Sequence, residues 1–181
     1  GLKVDRDDPR IGRLLEEVKE RETIGYAYET ADASFELLAR RTLGSVPHFF
    51  DVSYFDVKVE QRRNNDQGGE VLTTAVVKVK IGNDTLISAA EGNGPVNALD
   101  LALRKDLGKY QSYISGLELT DYRVRILNAG TEAVTRVLIE SRDETGERWT
   151  TVGVSPNIID ASFQALMDSI VFKLVKSGAP A

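Results

Sequence analysis

The residues that most invite chemistry are Gly92-Asn93-Gly94-Pro95, which stand where a strand pattern gives way to a helix pattern. Two glycines let backbone come close to a ligand. The helix behind them offers unpaired N–H groups and the positive end of its dipole, which suits a carboxylate or a phosphate. The same residues also make an ordinary strand-to-helix turn, and short glycine motifs are weak evidence by themselves. A dinucleotide fingerprint is excluded, because Asn97 stands where a third glycine would fall. A phosphate loop is excluded by the lack of Gly-Lys-Ser/Thr. A second loop, Val154-Ser155-Pro156-Asn157, precedes a second helix pattern. Its Ser and Asn suit a helix cap, and they also suit a ligand-facing position.

Few other residues qualify. The one histidine, His48, lies beside Pro47 and Phe49-Phe50 with nothing nearby to make a triad, so it reads as structural. Asp56, Asp100, Asp106, Asp121, Asp160 and Asp168 are scattered over strands and helices and form no recognisable pair for glycoside or metal chemistry. Arg123, Arg125 and Arg136 read as solvated strand residues, and Trp149, Tyr110, Tyr113, Tyr122 and Phe163 as core or interface. There is no cysteine, which removes disulfides, thiolate nucleophiles and Cys-ligated metals. A single His precludes a multi-His metal site within one chain.

Length and charge narrow the class further. The chain has 181 residues, about one domain plus a small attachment, and 41% hydrophobic with 28% charged residues marks a globular protein. The net charge of −5 is a poor match to nucleic acid. No stretch approaches a membrane span and no signal peptide opens the chain, so a cytoplasmic setting is expected. The chain begins at Gly1 and its one methionine is Met167, as expected of a piece of a longer protein.

Three blocks must position these loops. Residues 1–47 carry helix stripes at Ile11, Leu14, Leu15 and Val18, started by Asp8-Pro9, and at Ala31, Phe35, Leu38 and Thr42, stopped by Leu43-Gly44. Two short helices bury little alone, so this block is a connector or an arm that docks on a partner. In the second block, residues 71–81 alternate strictly as a strand. Tyr54–Gln61 and Thr85–Glu91 flank it, with turns at Asn64–Gly69 and Gly82–Asp84. A helix follows with Val96, Leu99, Leu103, Leu107 and Tyr110 on one side. The third block repeats the order. Its strands are Leu119–Leu127, Ala133–Glu140 and Arg148–Val154, with turns at Asn128–Gly130 and Asp143–Gly146. Its helix carries Ile158, Ile159, Ser162, Leu166, Ile170 and Leu174. Asn97-Ala98 matches Asp160-Ala161 at an offset of 63, and Val57-Lys58-Val59 matches Val124-Arg125-Ile126 at 67, so the second copy must have shorter turns.

The expected fold is therefore α+β: two tandem βββα units related by an internal pseudo-two-fold, preceded by a short helical connector. The connector spans residues 1–47, and the domain spans 48–181, with repeats at 48–110 and 116–176. One helix per three-stranded sheet leaves a face uncovered. Self-complementary association into a homodimer would cover it.

At this point the residues resemble a known family. Glu91–Leu103, EGNGPVNALDLAL, is similar to the strand-to-helix motif of the C-terminal regulatory domain of 2-isopropylmalate and citramalate synthases. Thr151–Ile170, TVGVSPNIIDASFQALMDSI, resembles the citramalate branch most closely. The stretch from Glu17-Val18-Lys19-Glu20 to Ala33-Ser34-Phe35-Glu36-Leu37-Leu38 is similar to the family's connector. The resemblance implies a regulatory domain that dimerises and binds an end-product amino acid near the dimer interface. That amino acid is isoleucine in the citramalate branch and leucine in the other. It also implies a separate catalytic TIM barrel that condenses acetyl-CoA with a 2-oxo acid, pyruvate for citramalate synthase, using a divalent metal. This chain lacks that barrel and its His-x-His ligands, so it is expected to be inactive and to hold no cofactor itself.

An amino-acid effector needs an anion site, an acceptor for its ammonium and an apolar slot. Backbone N–H groups over Gly92, Asn93, Gly94, Pro95 and Val96 suit the carboxylate, Pro95 contributing none itself. Asn97, or carbonyls near Ser155 and Asn157, suit the ammonium. Val96, Leu99 and Ile158, with Tyr110 or Tyr113, would wall the slot. Two other classes compete. An independent enzyme would need a cluster of perturbed acids and bases. A double-stranded RNA binder, which βββα units with helical flanks also suggest, would need a Lys/Arg cluster at a helix start, and the chain has none.

Overall fold

The computed structural model describes residues 8–63, 69–127 and 133–181. The loop expected at 64–68 and the turn at 128–130 lie outside the described residues; Gly69, assigned above to that loop, opens a strand. Two three-stranded antiparallel sheets form, each followed by a helix. The first runs β1 (Asp51–Arg63), β2 (Gly69–Ile81) and β3 (Asp84–Gly92), in that order, and leads into α3 (Pro95–Lys105). The second runs β4 (Glu118–Ile126), β5 (Thr135–Arg142) and β6 (Arg148–Ser155), and leads into α4 (Ile158–Lys176). Ahead of both lie α1 (Pro9–Thr23) and α2 (Asp32–Thr42). The chain divides into two compact units, residues 48–114 and residues 1–47 with 115–180.

The duplication reaches individual residues. Each first strand carries a register irregularity, between Val52 and Tyr54 in β1 and between Leu119 and Asp121 in β4. The hydroxyl at each irregularity donates to a carbonyl of the neighbouring strand, Ser53 to Lys78 at 3.2 Å and Thr120 to Glu140 at 3.2 Å. Val57 pairs with Ala75, whereas the equivalent Val124 pairs with Val137, so the second hairpin is the shorter one. This accounts for the change of offset along the sequence.

In the first unit, alternation sends Thr73, Ala75, Val77, Val79 and Ile81 of β2 under α3, where all five are buried. Ala98, Leu99, Ala102 and Leu103 meet them from the helix. The helix stops five residues before the expected Tyr110. Asp106 leaves helical geometry, and Gln111 takes its place as a plug, accepting from Leu107 N–H and donating to Arg104 O. Leu107 and Tyr110 are still buried, but from a short 3-10 turn over Gly108–Tyr113.

The second unit differs by having a third layer. α4 covers one face of its sheet, burying Trp149, Thr151 and Gly153 of β6. The helical arm packs on this unit's own sheet and α4. Its Tyr28, Ala31 and Leu38 cluster with Val152 and Val154, supported by Leu14, Val18, Tyr26, Val134 and Leu138. The stripe expected on α2 is rotated from the observed one. Ser34 points inward and Phe35, at 42% exposure, points out. Leu15 of α1 likewise faces solvent.

Polar contacts fix the arm. Ser34 Oγ accepts from Val152 N–H at 3.0 Å and donates to Asp168 at 2.8 Å, and Arg41 pairs with the same carboxylate at 2.9 Å. Asp32 accepts from Thr150 N–H at 2.8 Å. Gln164 Oε1 accepts from both Tyr26 hydroxyl and Val154 N–H. Thr150, Val152 and Val154 are alternate residues of β6, an edge strand, so these side chains satisfy N–H groups that would otherwise face an open sheet edge. Arg136, expected to be solvated, instead donates to Gly25 O and is partly buried.

Candidate functional site: two strand-to-helix loops

The two loops are equivalent by register: Thr73 pairs with Gly92 at the end of β3, and Thr135 pairs with Ser155 at the end of β6. Gly94 and Asn157 then hold the same place, each immediately ahead of its helix.

They are chemically unlike. Asn157 is a full N-cap: its Oδ1 accepts from Ile159 N–H at 2.8 Å. Ser155 Oγ accepts from Asn157 N–H at 3.1 Å. The second loop thus satisfies two of its own donors, Asn157 N–H and Ile159 N–H, with side-chain oxygens. Among the described residues, no side chain caps α3. Pro95 brings no N–H, and Ala98 N–H is bonded at 2.9 Å to Gly94 O. Val96 and Asn97 N–H precede that first helical bond, as the orphan donors of an uncapped helix start. Asn97 folds its side chain backward, and its Oδ1 accepts from Asn93 N–H at 3.1 Å. Gly92 makes this possible. A Cβ there would sit 2.7 Å from Asn97 Oδ1 and 2.5 Å from Ala98 N.

The expected site residues fall into three groups. Gly92, Asn93, Gly94, Pro95, Val96 and Asn97 form one continuous, partly exposed loop in the first unit. Leu99 and Tyr110 belong to the same unit but are enclosed, at 0% and 1% exposure, and serve as core in this conformation. Tyr110 packs edge-on against Phe49, and its hydroxyl has no hydrogen-bond partner among the described residues. Tyr113 is half-buried on the same 3-10 turn. Ser155, Asn157 and Ile158 belong to the second unit, with Ser155 buried and Ile158 42% exposed. A surface depression runs beside α3, lined by Ala90, Glu91, Leu101, Arg104 and Lys105.

Sequence reading missed one charged cluster. Asp143 is buried at the β5–β6 turn, accepting from Lys176 at 2.8 Å, from Thr145 N–H and hydroxyl, and from Glu147 N–H. Burial works to raise its carboxyl, but these hydrogen bonds outweigh it and hold the group well below the usual carboxylate range. Lys173, also buried, pairs with Glu144 at 2.7 Å. The cations pair with carboxylates and tie the turn to the end of α4, which is the work of a clamp. The Asp-x-x-Gly turn was visible in sequence; the lysines two turns from the chain's end were not an obvious match for it. His48 is exposed and lies 3.0 Å from Asp51. Among the described residues, no group of three or more His, Asp or Glu is placed to hold a metal ion, and no helix is long and apolar enough to cross a membrane.

Comparison with known proteins gives a consistent outcome. The LeuA allosteric (dimerisation) domain matches residues 29–174. An (R)-citramalate synthase from Geobacter sulfurreducens is 51% identical over 97% of this chain, and one from Aquifex aeolicus is 44% identical, also over 97%. A 2-isopropylmalate synthase from Pectobacterium atrosepticum is 33% identical over 67% of the chain. The chain spans 33% of the length of the first two and 20% of the third.

Proposed function

Because the chain belongs to the LeuA allosteric (dimerisation) domain family, on the citramalate synthase side of it, we propose that it binds isoleucine and thereby regulates an acetyl-CoA-dependent citramalate synthase barrel. In this reading it also holds two such chains together. The observation that carries the proposal is the contrast between the loops. One helix start has a side-chain cap on a backbone donor, Ile159 N–H, and the other, behind Gly92–Asn97, has none.

A free amino acid brings a carboxylate, and Val96 and Asn97 N–H at the positive end of α3 are matched to it. The ammonium needs an acceptor. Asn97 Oδ1 already receives Asn93 N–H, and its second lone pair is the one left to offer. Leu99 and Tyr110 are sealed in the core, so on this conformation the apolar slot is walled by Val96 and by residues a second chain brings. The barrel, its metal and its pyruvate substrate belong to the proposed parent protein. In this reading the arm, fastened to α4 through Gln164 and Asp168, relays binding to the barrel. A ligand shifts such an element only by its differential affinity for two states.

Calorimetric titration of the chain with isoleucine, leucine and valine tests the reading, with mass in solution measured alongside. Saturable isoleucine binding is expected. A preference for leucine would move the chain to the isopropylmalate branch, a choice of one methyl position worth only about 1–3 kcal/mol. No binding to a confirmed dimer would leave a dimerisation module without effector.

A further inference from the structure

The second sheet sets two arginines directly opposite each other, and we propose that this pair, Arg125 and Arg136, binds a phosphate group, free or carried by a small molecule, beside the elbow of the helical arm; the inference goes beyond the effector reading and does not rest on it. The pair follows from register. Arg125 of β4 stands opposite Arg136 of β5, and Arg136 stands opposite Val154 of β6. Residues that stand opposite one another share a face of the sheet. Val154 packs against the arm, so both arginines rise from the face away from α4. Like charges directly opposite on a sheet are destabilising.

The first copy avoids this repulsion. Its Lys58, the counterpart of Arg125, stands opposite Thr74 and pairs with Glu60 on the same strand. In the second copy Arg136 replaces that threonine, and Leu127 stands where Glu60 would. Leu127 is committed to the arm: a Cβ on Gly25 would collide with its Cδ1. The neighbouring carboxylates are taken as well. Asp121 pairs with Arg123 at 2.9 Å, and Glu140 with Arg148 at 2.8 Å. Among the described residues, Arg125 has no ion pair and no side-chain hydrogen bond. One copy thus holds a cation beside a carboxylate, and the other holds two cations beside a leucine.

Arg136 is already oriented. Its Nε donates to Gly25 O, at the elbow between α1 and the 3-10 turn Tyr28–Thr30. Burial does most to push the Arg136 guanidinium's pKa down, Arg125 pushes it further, and the exposed Glu29 opposes both. The net shift is downward, so Glu29 does not neutralise the pair. Arginine forks match phosphate oxygens bidentately. A phosphate ester brings about two negative charges and three acceptor oxygens, enough for two forks at once. A carboxylate brings one charge and two oxygens, which a single fork consumes. A phosphate held here bridges Arg125 to Arg136 and, through Gly25, braces the elbow of the arm.

The test is titration of the 181-residue chain with inorganic phosphate, glycerol phosphate and acetate, against sodium chloride at matched ionic strength. Guanidinium Cζ resonances report the site, and the thermal midpoint reports the fold. Saturable shifts at Arg125 and Arg136 are expected with phosphate, together with a higher midpoint than in chloride. Arg125→Gln breaks no contact of the folded chain, so in phosphate-free buffer its midpoint should match or exceed that of wild type. Its phosphate affinity should fall at least about tenfold, the worth of one charge-assisted hydrogen bond. Arg148→Gln, at an exposed arginine of β6, is the control and should bind phosphate like wild type. A response to inorganic phosphate alone would support the site and name the free ion as its ligand; an equal response to glycerol phosphate would support it with a phosphorylated metabolite. Acetate binding as tightly as phosphate would overturn the ligand class. Wild-type affinity in Arg125→Gln, or an equal loss in Arg148→Gln, would overturn the site. A chain that responds to phosphate no more than to chloride would overturn the proposal outright.

Discussion

The two βββα copies share strand order, irregularity position and helix placement, yet one is closed and the other open. In the second, Asn157 caps α4, Ser155 holds the loop, and the arm satisfies the outer edge of β6 with Asp32 and Ser34. In the first, α3 starts without a cap and Tyr54 and Ile87 stand exposed on the sheet face away from it. The difference teaches where function can reside in a duplicated fold. Frame residues are kept in both copies, and the proposed reading puts the ligand at the copy whose helix start has no side-chain cap.

The sharpest way to break the comparison is at Gly153. A Cβ there would fall 1.9 Å from Ala161 O, so α4 is pressed on β6 as closely as glycine permits. The equivalent position in the first copy is Ala90. Gly153→Ala should cost about 3 kcal/mol in urea unfolding, at the upper end of overpacking. Ala90→Gly should cost only about 0.5–1 kcal/mol. Equal effects would show that the helices pack alike.

Acid should also separate the units. The Asp143 carboxyl is held below its ordinary value in the folded state. It therefore contributes stability above the unfolded pKa of about 3.9, and that contribution is lost as pH falls below it towards the folded value. The first copy has Gly82-Asn83-Asp84 at the matching turn, with Asp84 exposed. Unfolding between about pH 4 and pH 2, followed by hydrogen exchange, should begin in the second unit, and Asp143→Asn should flatten that dependence.

Smaller effects test the arm and the caps. Ser34→Ala leaves Val152 N–H buried and unpaired and should cost about 1–3 kcal/mol, with loss of exchange protection at Val152. Asn157→Ala removes a cap and should cost about 1 kcal/mol in thermal unfolding. The converse change, Gly94→Asn, has open space for its side chain and should add only a few tenths of a kcal/mol. It should nevertheless weaken isoleucine binding at least tenfold in calorimetry, by occupying the donors with a cap.

Strand order and the repeat were legible because alternation at residues 71–81 and the offset matches are local signals. The end of α3 was not. Leu107 and Tyr110 continue the helical spacing and are buried, and only the Gln111 plug reveals that the backbone has changed course. The arm's docking was hidden for a related reason. Its contacts use Asp32, Ser34, Gln164 and Asp168, polar residues more than a hundred positions apart, which no periodicity connects. Of the site, the loop Gly92–Asn97 was visible as a glycine pattern. The asymmetry of capping needed coordinates, because Asn157 and Asn97 are both asparagines near a helix start and spend their side chains in opposite directions.

The central claim is that the effector binds the uncapped loop and not its capped twin. Backbone amide resonances of Val96, Asn97 and Ile159 during titration of the labelled chain with isoleucine test it most directly. The account predicts large, saturable shifts at Val96 and Asn97 with Ile159 nearly still. Saturable binding that moves Ile159 and leaves Val96 and Asn97 unchanged would contradict it.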